Sequence, residues 1–169
     1  MFILSAFHFC LLPFHFSLFT FHFMKFRFVW IGKTRDKNWL ALQEEYLSRL
    51  SHFVKFEITE IKDSGRETES KRILEKVNQS NFVCLLDVKG RSVSSHQLAK
   101  KIEHWQNRGF KEIAFVIGGA EGVASEVVER ADFSLSLSLL TFTHDAARVV
   151  LTEQLYRAYT IIKSFPYQK

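Results

Sequence analysis

The sequence predicts an α/β fold, with a mostly parallel sheet and helices on both faces of that sheet. Segments typical of strands and helices alternate from Met24 onward in the order βαβαβαβαβα. Two of the strand segments, residues 82–87 and 113–117, are almost continuous apolar runs, as strands buried on both faces usually are. A length of 169 residues suits a single domain with a sizeable core.

The first half of this order contains two predicted strands and two predicted helices. Residues 25–31 read as a strand that Gly32 and a polar loop end, and Asp36 is placed to cap the next helix. The apolar face of that helix is Trp39, Leu40, Leu42, Tyr46, Leu47 and Leu50, and the residues predicted to face water are Gln43, Glu44, Glu45 and Arg49. Residues 53–61 alternate as a half-exposed strand. After a loop at 62–66, residues 67–78 predict a helix whose charges are interpreted as a solvated face.

The second half of the order supplies three more strands. The third strand, 82–87, ends in Asp87, and Val88-Lys89-Gly90 predicts a flexible turn. Ser94 or Ser95 begins a helix that stops at Gly109. The remaining segments are a strand from Ile113 with a glycine turn, a short helix at 124–131, a strand at 133–137, a loop at 139–143 and a long helix from His144 to about Lys163.

The glycine turn is the first candidate site. Gly118, Gly119 and Gly122 are three of only seven glycines, and glycine allows positive φ and close approach of the main chain. The turn follows a buried strand, and open parallel sheets bind ligands at the carboxyl ends of their strands. The GxGxxG order is missing, however, and the chain has no Walker lysine, paired-cysteine motif or Gly-x-Ser-x-Gly elbow.

Composition narrows the function classes only slightly. The formal net charge of +5 favours polyanionic partners, although general solubility explains it equally well. Cys10 and Cys84 do not form a disulfide framework, and Cys84 lies in an apolar run where a buried thiol is expected. This cysteine usage fits a reducing cytoplasm.

Residues 1–23 differ from the rest of the chain. They contain no charged residue, hold eight of the eighteen phenylalanines and repeat Phe-His-Phe every seven residues. Pro13 and the immediate start of the first strand disfavour a transmembrane helix, and the segment lacks the basic start and cleavage site of a signal peptide. His8, His15 and His22 have poor spacing for a metal site, so no metal is predicted. We hypothesise that this apolar leader is not part of the functional protein, which begins at Met24 and forms one domain over residues 24–169.

The long final helix predicts a homodimer. Its apolar residues cover more than one face, so a single sheet is not expected to bury all of them. A partner subunit is the simplest recipient. These residues are Val149, Val150, Leu151, Leu155, Tyr156, Ala158, Tyr159, Ile161 and Ile162.

Several motifs together carry a family resemblance. They are Val-Ile-Gly-Gly-Ala-Glu-Gly at 116–122, Leu-Ser-Leu-Ser-Leu-Leu-Thr-Phe-Thr-His at 135–144, the run from Arg148 to Ala158, and Pro166-Tyr167. In this order they resemble the bacterial SPOUT-class methyltransferases that methylate N3 of a pseudouridine in large-subunit ribosomal RNA. The resemblance covers residues 24–169.

The resemblance implies a fold, a cofactor and a set of binding residues. The implied fold is the SPOUT methyltransferase fold with a C-terminal deep trefoil knot. The implied protein is a homodimer in the cytoplasm, without membrane attachment, and its expected partner is ribosomal RNA within the assembled ribosome. The cofactor is S-adenosyl-L-methionine. The family contacts to it fall on Leu86, Gly118, Leu137, Ser138, Leu139, Leu140, Thr141 and Phe142.

Catalytic candidates follow from the need to remove the proton on the base nitrogen. His144 and Tyr167 are the candidates for this step, although His144 equally suits a helix-start residue that bonds the backbone. Arg148 is expected to contact phosphate or base, and Arg157 fits the same role or a dimer contact. Lys33, Arg35, Lys89 and Arg91 are candidates for RNA phosphate contacts, or are ordinary surface charges.

Two residues depart from the family pattern. Thr143 replaces the usual proline before His144, which is expected to reduce rigidity at the first turn of the helix. Gln168 replaces the usual tail histidine, and an amide neither accepts a proton nor becomes cationic. The alternative functions are therefore a non-catalytic RNA- or ribosome-binding module that retains the knotted fold and, less directly, a membrane-tethered form that uses residues 1–23.

Overall fold

The computed structural model describes residues 24–77 and 82–168. The apolar leader at 1–23 and the predicted helix end at Asn78 lie outside the described residues. The elements are β1 (Lys25–Ile31), α1 (Lys37–Ser51), β2 (Lys55–Ile61), α2 (Arg66–Lys76), β3 (Phe82–Ser92), α3 (Ser95–Asn107), β4 (Glu112–Ile117), α4 (Ser125–Arg130), β5 (Phe133–Ser136) and α5 (His144–Ile162), followed by a short 3₁₀ helix (Pro166–Gln168). The alternating order predicted from the sequence is confirmed.

The five strands form one sheet in the order β2-β1-β4-β3-β5, and every neighbouring pair is parallel. β4 lies at the centre, where Ile113, Ala114, Phe115 and Val116 are fully buried. The apolar run is therefore explained as the sequence predicts: this strand is covered on both faces. Because all strands run the same way, their carboxyl ends share one edge of the sheet.

Helices cover both faces, as predicted. One apolar core contains Phe28, Trp30 and Phe115 together with residues of α1, α3 and α5. The second core, on the other face, contains Val29 and Val116 with residues of α2 and α4. The alternation of side chains along β1 thus divides its residues between two helical layers. The trefoil knot stays a prediction.

Capping residues set the starts of three helices. Asp36 accepts hydrogen bonds from the Asn38 and Trp39 amides at the start of α1. Ser94 and Gln97 form a capping box at α3, and Thr143 accepts from the Ala146 amide at α5. Thr143, where the resemblance implies a proline, thus caps α5 with its side chain.

α1 corrects one part of the sequence interpretation. Gln43, predicted to face water, is only 6% exposed, whereas Trp39 and Leu42 are 37% and 40% exposed. Gln43 is buried because its side-chain oxygen accepts a hydrogen bond from the Thr34 hydroxyl at 2.7 Å. α1 thus packs through Gln43, Leu47 and Leu50, and the first half of the predicted apolar face points outward.

The length of β3 also differs from the sequence prediction. The strand does not end at Asp87 but continues to Ser92, with a register shift against β5 between Leu86 and Arg91. Gly90 permits this pairing, because a Cβ at that position would lie 2.7 Å from the Ser134 carbonyl carbon. The predicted flexible turn is therefore an irregular strand beside β5.

α5 has more neighbours within the chain than the sequence indicates. It packs on the sheet and also against α1 and α3, so Leu151, Leu155, Ala158 and Tyr159 are buried in the single chain. The Tyr159 hydroxyl accepts a hydrogen bond from Gln106 of α3 at 3.0 Å. The apolar surface of α5 therefore does not by itself require a partner subunit, and a homodimer needs separate support.

Cys84 is fully buried, as predicted, and burial raises the pKa of its thiol above the ordinary value. Within residues 24–77 and 82–168, no helix has the length and apolar character needed to cross a membrane.

Candidate active site

A cavity of about 550 Å³ lies at the carboxyl edge of the sheet. Three segments form its walls: residues 86–89 of β3, the glycine turn after β4, and the loop between β5 and α5. Pockets that enclose small organic ligands have volumes of about 300–1,000 Å³, so this cavity is of suitable size. Its position follows from the parallel sheet, in which loops from successive strand ends meet at one edge.

Most of the cofactor contacts implied by the resemblance lie in these three walls. The lining residues among them are Leu86, Gly118, Leu137, Ser138, Leu140, Thr141 and Phe142. Leu139 is not among the residues that line the cavity, and its side chain is 89% exposed. The structure thus brings together seven of the eight positions, while their contact with a cofactor stays a prediction.

The glycines of the turn are required for different reasons. Gly122 has a φ of 74°, which favours glycine, and its amide donates to the Gly119 carbonyl at 2.9 Å. Gly118 and Gly119 are crowded instead: a Cβ at Gly118 would lie 2.6 Å from Cγ1 of Val123, and one at Gly119 would lie 2.2 Å from Oε2 of Glu69. Close packing explains two of the glycines and backbone conformation explains the third.

The chemical character of the cavity fits S-adenosylmethionine. Leu86, Ile117 and Leu135 supply apolar surface for a nucleobase, and the crowded glycine turn places main chain rather than side chains at the wall. Asp87 supplies a carboxylate at the same wall, opposite in sign to a sulfonium or an ammonium group. An adenosine bearing a cationic side chain needs this combination of surfaces.

His144 lines the same cavity. It is the first residue of α5, is partly exposed, and directly follows the loop that forms the third wall. The cap of α5 comes from Thr143, so the His144 side chain is not needed for that purpose. The His144 side chain is therefore available to contact a substrate bound in the cavity.

Arg148 lies in a different environment from the one expected. Its side chain is 1% exposed and does not line the cavity. The guanidinium donates to the Ile31 carbonyl, to the Gly32 carbonyl at 3.3 Å and to the Thr34 hydroxyl at 2.8 Å. It also packs over the Trp30 ring, 5.2 Å from the centroid. Burial lowers the pKa of Arg148 below its ordinary value, but an arginine remains charged at neutral pH. These contacts leave the guanidinium little access to RNA in this arrangement.

Tyr167 also lies outside the cavity of its own chain. Its hydroxyl donates to Oε1 of Glu153 at 3.2 Å, and Arg157 packs over its ring at 4.7 Å. Glu153 is nine residues beyond His144 on α5, or about 13 Å along the helix axis. Burial, together with a hydrogen bond to Tyr46, raises the pKa of Tyr167, so the phenol keeps its proton at neutral pH. Arg157 is paired to Glu153 by two hydrogen bonds.

The basic residues predicted to meet RNA are divided among three places. Lys89 lines the cavity, whereas Lys33 and Arg35 lie in the exposed loop after β1. Arg91 lines a shallower hollow beside β5. The sequence analysis missed Arg66, which lines the cavity from the start of α2. The sequence signal for Arg66 is weak, because it is a basic residue at the end of the loop predicted at 62–66, far from the glycine turn in sequence.

Sequence comparison places these features in a family. Residues 24–168 match the family model described as "Predicted SPOUT methyltransferase". A protein named ribosomal RNA large subunit methyltransferase H from Desulfotalea psychrophila is 40% identical over 146 residues, covering 82% of this chain and 95% of that protein. The protein of the same name from Christiangramia forsetii is 42% identical over 151 residues, covering 83% of this chain and 96% of that protein.

Structural comparison agrees on the fold. A methylase-family protein from Haemophilus influenzae superposes with a TM-score of 0.56 at 14% identity, covering 85% of this chain and 70% of the other. Another methylase-family protein, from Neisseria gonorrhoeae, superposes with a TM-score of 0.53 at 11% identity, covering 85% of this chain and 95% of the other. At these identities the likeness concerns the fold alone.

Proposed function

The chain belongs to the SPOUT methyltransferase family, and we propose that it methylates N3 of a pseudouridine in large-subunit ribosomal RNA with S-adenosylmethionine as the methyl donor. The observation that carries the proposal is the cavity at the carboxyl edge. There the three segments that carry the implied cofactor contacts meet, 86–89, 118–123 and 137–142. The curated relatives are named for this substrate class and are covered almost completely by the chain.

The cavity would bind the cofactor through main-chain groups and through apolar side chains. The backbone of the glycine turn and the loop at 137–142 would hold the cofactor, with apolar contacts from Leu86 and Leu137. When bound, S-adenosylmethionine supplies a sulfonium-linked methyl group, whose carbon–sulfur bond breaks as the carbon–nitrogen bond to the base forms. Holding the two reactants in line lets positioning by these walls supply much of the rate enhancement.

The base nitrogen must lose a proton for its lone pair to attack. Within the cavity, His144 is the side chain we assign to accepting this proton or to orienting the base. Tyr167 is protonated and lies along α5, so in its own chain it serves as a hydrogen-bond donor rather than a base.

His144→Asn is expected to lower the rate of methyl transfer about 100-fold, the usual contribution of a positioned acid or base. Asparagine keeps a polar side chain of similar size but does not take up a proton. The dissociation constant for S-adenosylmethionine, measured by calorimetry, is expected to stay within about threefold of the original, because the cofactor walls are unchanged. A normal rate with His144→Asn would remove His144 from the mechanism.

RNA would approach from the same edge of the sheet. Lys33, Arg35, Arg66, Lys89 and Arg91 are exposed there and are suited to phosphate contacts. Affinity for RNA should then fall steeply with salt concentration, because each neutralised phosphate releases counterions.

The methylation assay tests the whole proposal. Ribosomes lacking the modification are incubated with the protein and labelled S-adenosylmethionine, and label is expected in the large-subunit RNA. Cofactor binding without transfer would instead favour the non-catalytic module, the reading that Gln168 motivates. Absence of cofactor binding would contradict both the site and the enzyme.

The proposal includes a homodimer that acts in the cytoplasm. Leu139 and Leu140, in the loop that forms the third wall of the cavity, are 89% and 74% exposed, which is unusual for two adjacent large apolar side chains. Burial of this loop by a second copy would explain them.

The double substitution Leu139→Asp/Leu140→Asp is therefore expected to give a monomer in analytical ultracentrifugation, because two charges would be buried in the interface. Leu42→Asp, on the outer face of α1, is the matched control and should leave the sedimentation of the protein unchanged. A dimer that persists with the double substitution would place the interface elsewhere.

We also propose that the functional protein begins at Met24. Mass spectrometry of the native N-terminus tests this, and a native peptide containing residues 14–23 would contradict it.

A further inference from the structure

A buried carboxylate on α2 contacts the glycine turn of the cavity and the loop that precedes Arg66. The side chain of Glu69 is 3% exposed, although the sequence pattern places it on a solvated helix face. Its Oε1 accepts hydrogen bonds from the Ser64 amide at 2.8 Å and the Gly65 amide at 3.1 Å. These amides immediately precede Arg66, which lines the cavity.

The other carboxylate oxygen meets the glycine turn. Oε2 of Glu69 lies so close to Gly119 that a Cβ built there would be 2.2 Å from it. The φ of Gly119 is outside the left-handed region, so its backbone conformation would accept alanine. Glycine is thus required at 119 by the carboxylate and not by the turn itself.

The next residue of α2 holds the far end of the turn. The Ser70 hydroxyl, also buried at 3% exposure, accepts a hydrogen bond from the Ala124 amide at 2.8 Å. Adjacent residues of one helix therefore contact both the middle of the turn and its exit into α4.

We propose that Glu69 is a positioning residue for the cofactor site. Its carboxylate fixes the Gly119 backbone and the loop at residues 64–65 relative to each other, and Ser70 holds the end of the turn. Glu69 touches no reacting atom; it acts by keeping the glycine turn in its binding shape before the cofactor arrives. This role rests on the proposed function, because the ligand of the turn is the proposed cofactor.

A double-substitution cycle tests the contact in the free protein. Gly119→Ala is expected to accelerate amide hydrogen exchange at residues 118–124 about tenfold, because the new methyl group displaces either the turn or the carboxylate. With Glu69→Ala also present, adding Gly119→Ala should change exchange by less than about twofold, because the obstructing oxygen is gone. Gly118→Ala is the matched control: its Cβ meets Val123, so Glu69→Ala should not relieve its effect.

Binding measurements test the positioning role. Glu69→Ala is expected to raise the dissociation constant for S-adenosylmethionine about tenfold in calorimetry, the order expected for losing hydrogen bonds to a buried charged group. Glu69→Gln keeps an acceptor oxygen and the side-chain length, and should restore affinity to within about threefold of the original. In the methylation assay, Glu69→Ala should raise KM for the cofactor more than it lowers kcat.

The outcomes separate this inference from the proposed function. Additive effects of Glu69→Ala and Gly119→Ala on exchange would overturn the contact, whatever the protein binds. If the two substitutions have coupled effects on amide exchange but Glu69→Ala leaves the affinity for S-adenosylmethionine unchanged, the positioning role would be overturned. Failure of the unsubstituted protein to bind S-adenosylmethionine would overturn the proposed function and, with it, the assignment of Glu69 to a cofactor site.

Discussion

Gly118→Val is expected to abolish measurable binding of S-adenosylmethionine. The Cβ alone would lie 2.6 Å from Cγ1 of Val123 and 3.3 Å from the main chain of Gly122, and valine adds two further methyl groups. The turn must therefore move, and it forms one wall of the cavity. We expect the dissociation constant to rise at least about 100-fold in calorimetry, which corresponds to about 2.7 kcal/mol.

Unfolding in urea supplies the control for this substitution. Overpacking at a partly buried turn should lower the free energy of unfolding by about 1–3 kcal/mol and leave a cooperative transition, so lost binding is not lost folding. The double substitution Gly118→Ala/Val123→Ala lacks the closest clash, because the Cγ1 atom of Val123 is gone. Its affinity for S-adenosylmethionine should therefore be much higher than that of Gly118→Val. Near-normal binding by Gly118→Val would show that the cofactor site lies elsewhere.

The order of elements could be predicted because local signals agree with the tertiary structure. β4 is apolar from Ile113 to Ile117 and lies at the centre of the sheet, while Asp36 and Ser94 are strong caps at true helix starts. The cavity position follows from the parallel order. The glycine turn that lines it could be located from the residues alone, whereas the loop at 137–142 was located only through the family resemblance, because main chain and apolar side chains have no distinctive sequence pattern.

Buried polar residues are where the sequence interpretation is wrong. Periodicity assigns polar side chains to water, so it placed Gln43 and the charges of α2 on solvated faces. Gln43 is buried where it bonds to Thr34. Glu69 is buried against the backbone amides of residues 64 and 65 and against Gly119, fifty positions further along the chain. Such partners are distant in sequence or lie in loops, and a helical pattern contains no information about them.

Arg148→Met is expected to lower the free energy of unfolding by about 3 kcal/mol, since it leaves buried acceptors without their donor. The lost contacts are the hydrogen bonds to the Ile31 and Gly32 carbonyls and to Thr34, whose hydroxyl in turn donates to Gln43, and the ion pair with Asp145. Arg148 thereby joins the first turn of α5 to the loop after β1. That loop carries Lys33 and Arg35, so Arg148→Met should weaken RNA binding indirectly.

Arg35→Met is the matched control, because the same chemical change is made at an exposed residue of the loop. It should alter the free energy of unfolding by less than about 0.5 kcal/mol while lowering RNA affinity and its salt dependence. Urea unfolding and RNA binding at several salt concentrations distinguish the two variants. If Arg148→Met keeps the original stability and loses RNA affinity, Arg148 is an RNA contact after all, and its guanidinium must leave the buried site when RNA binds. If stability falls and amide exchange at residues 32–36 rises with it, the arginine has a structural role, and its effect on RNA passes through the loop.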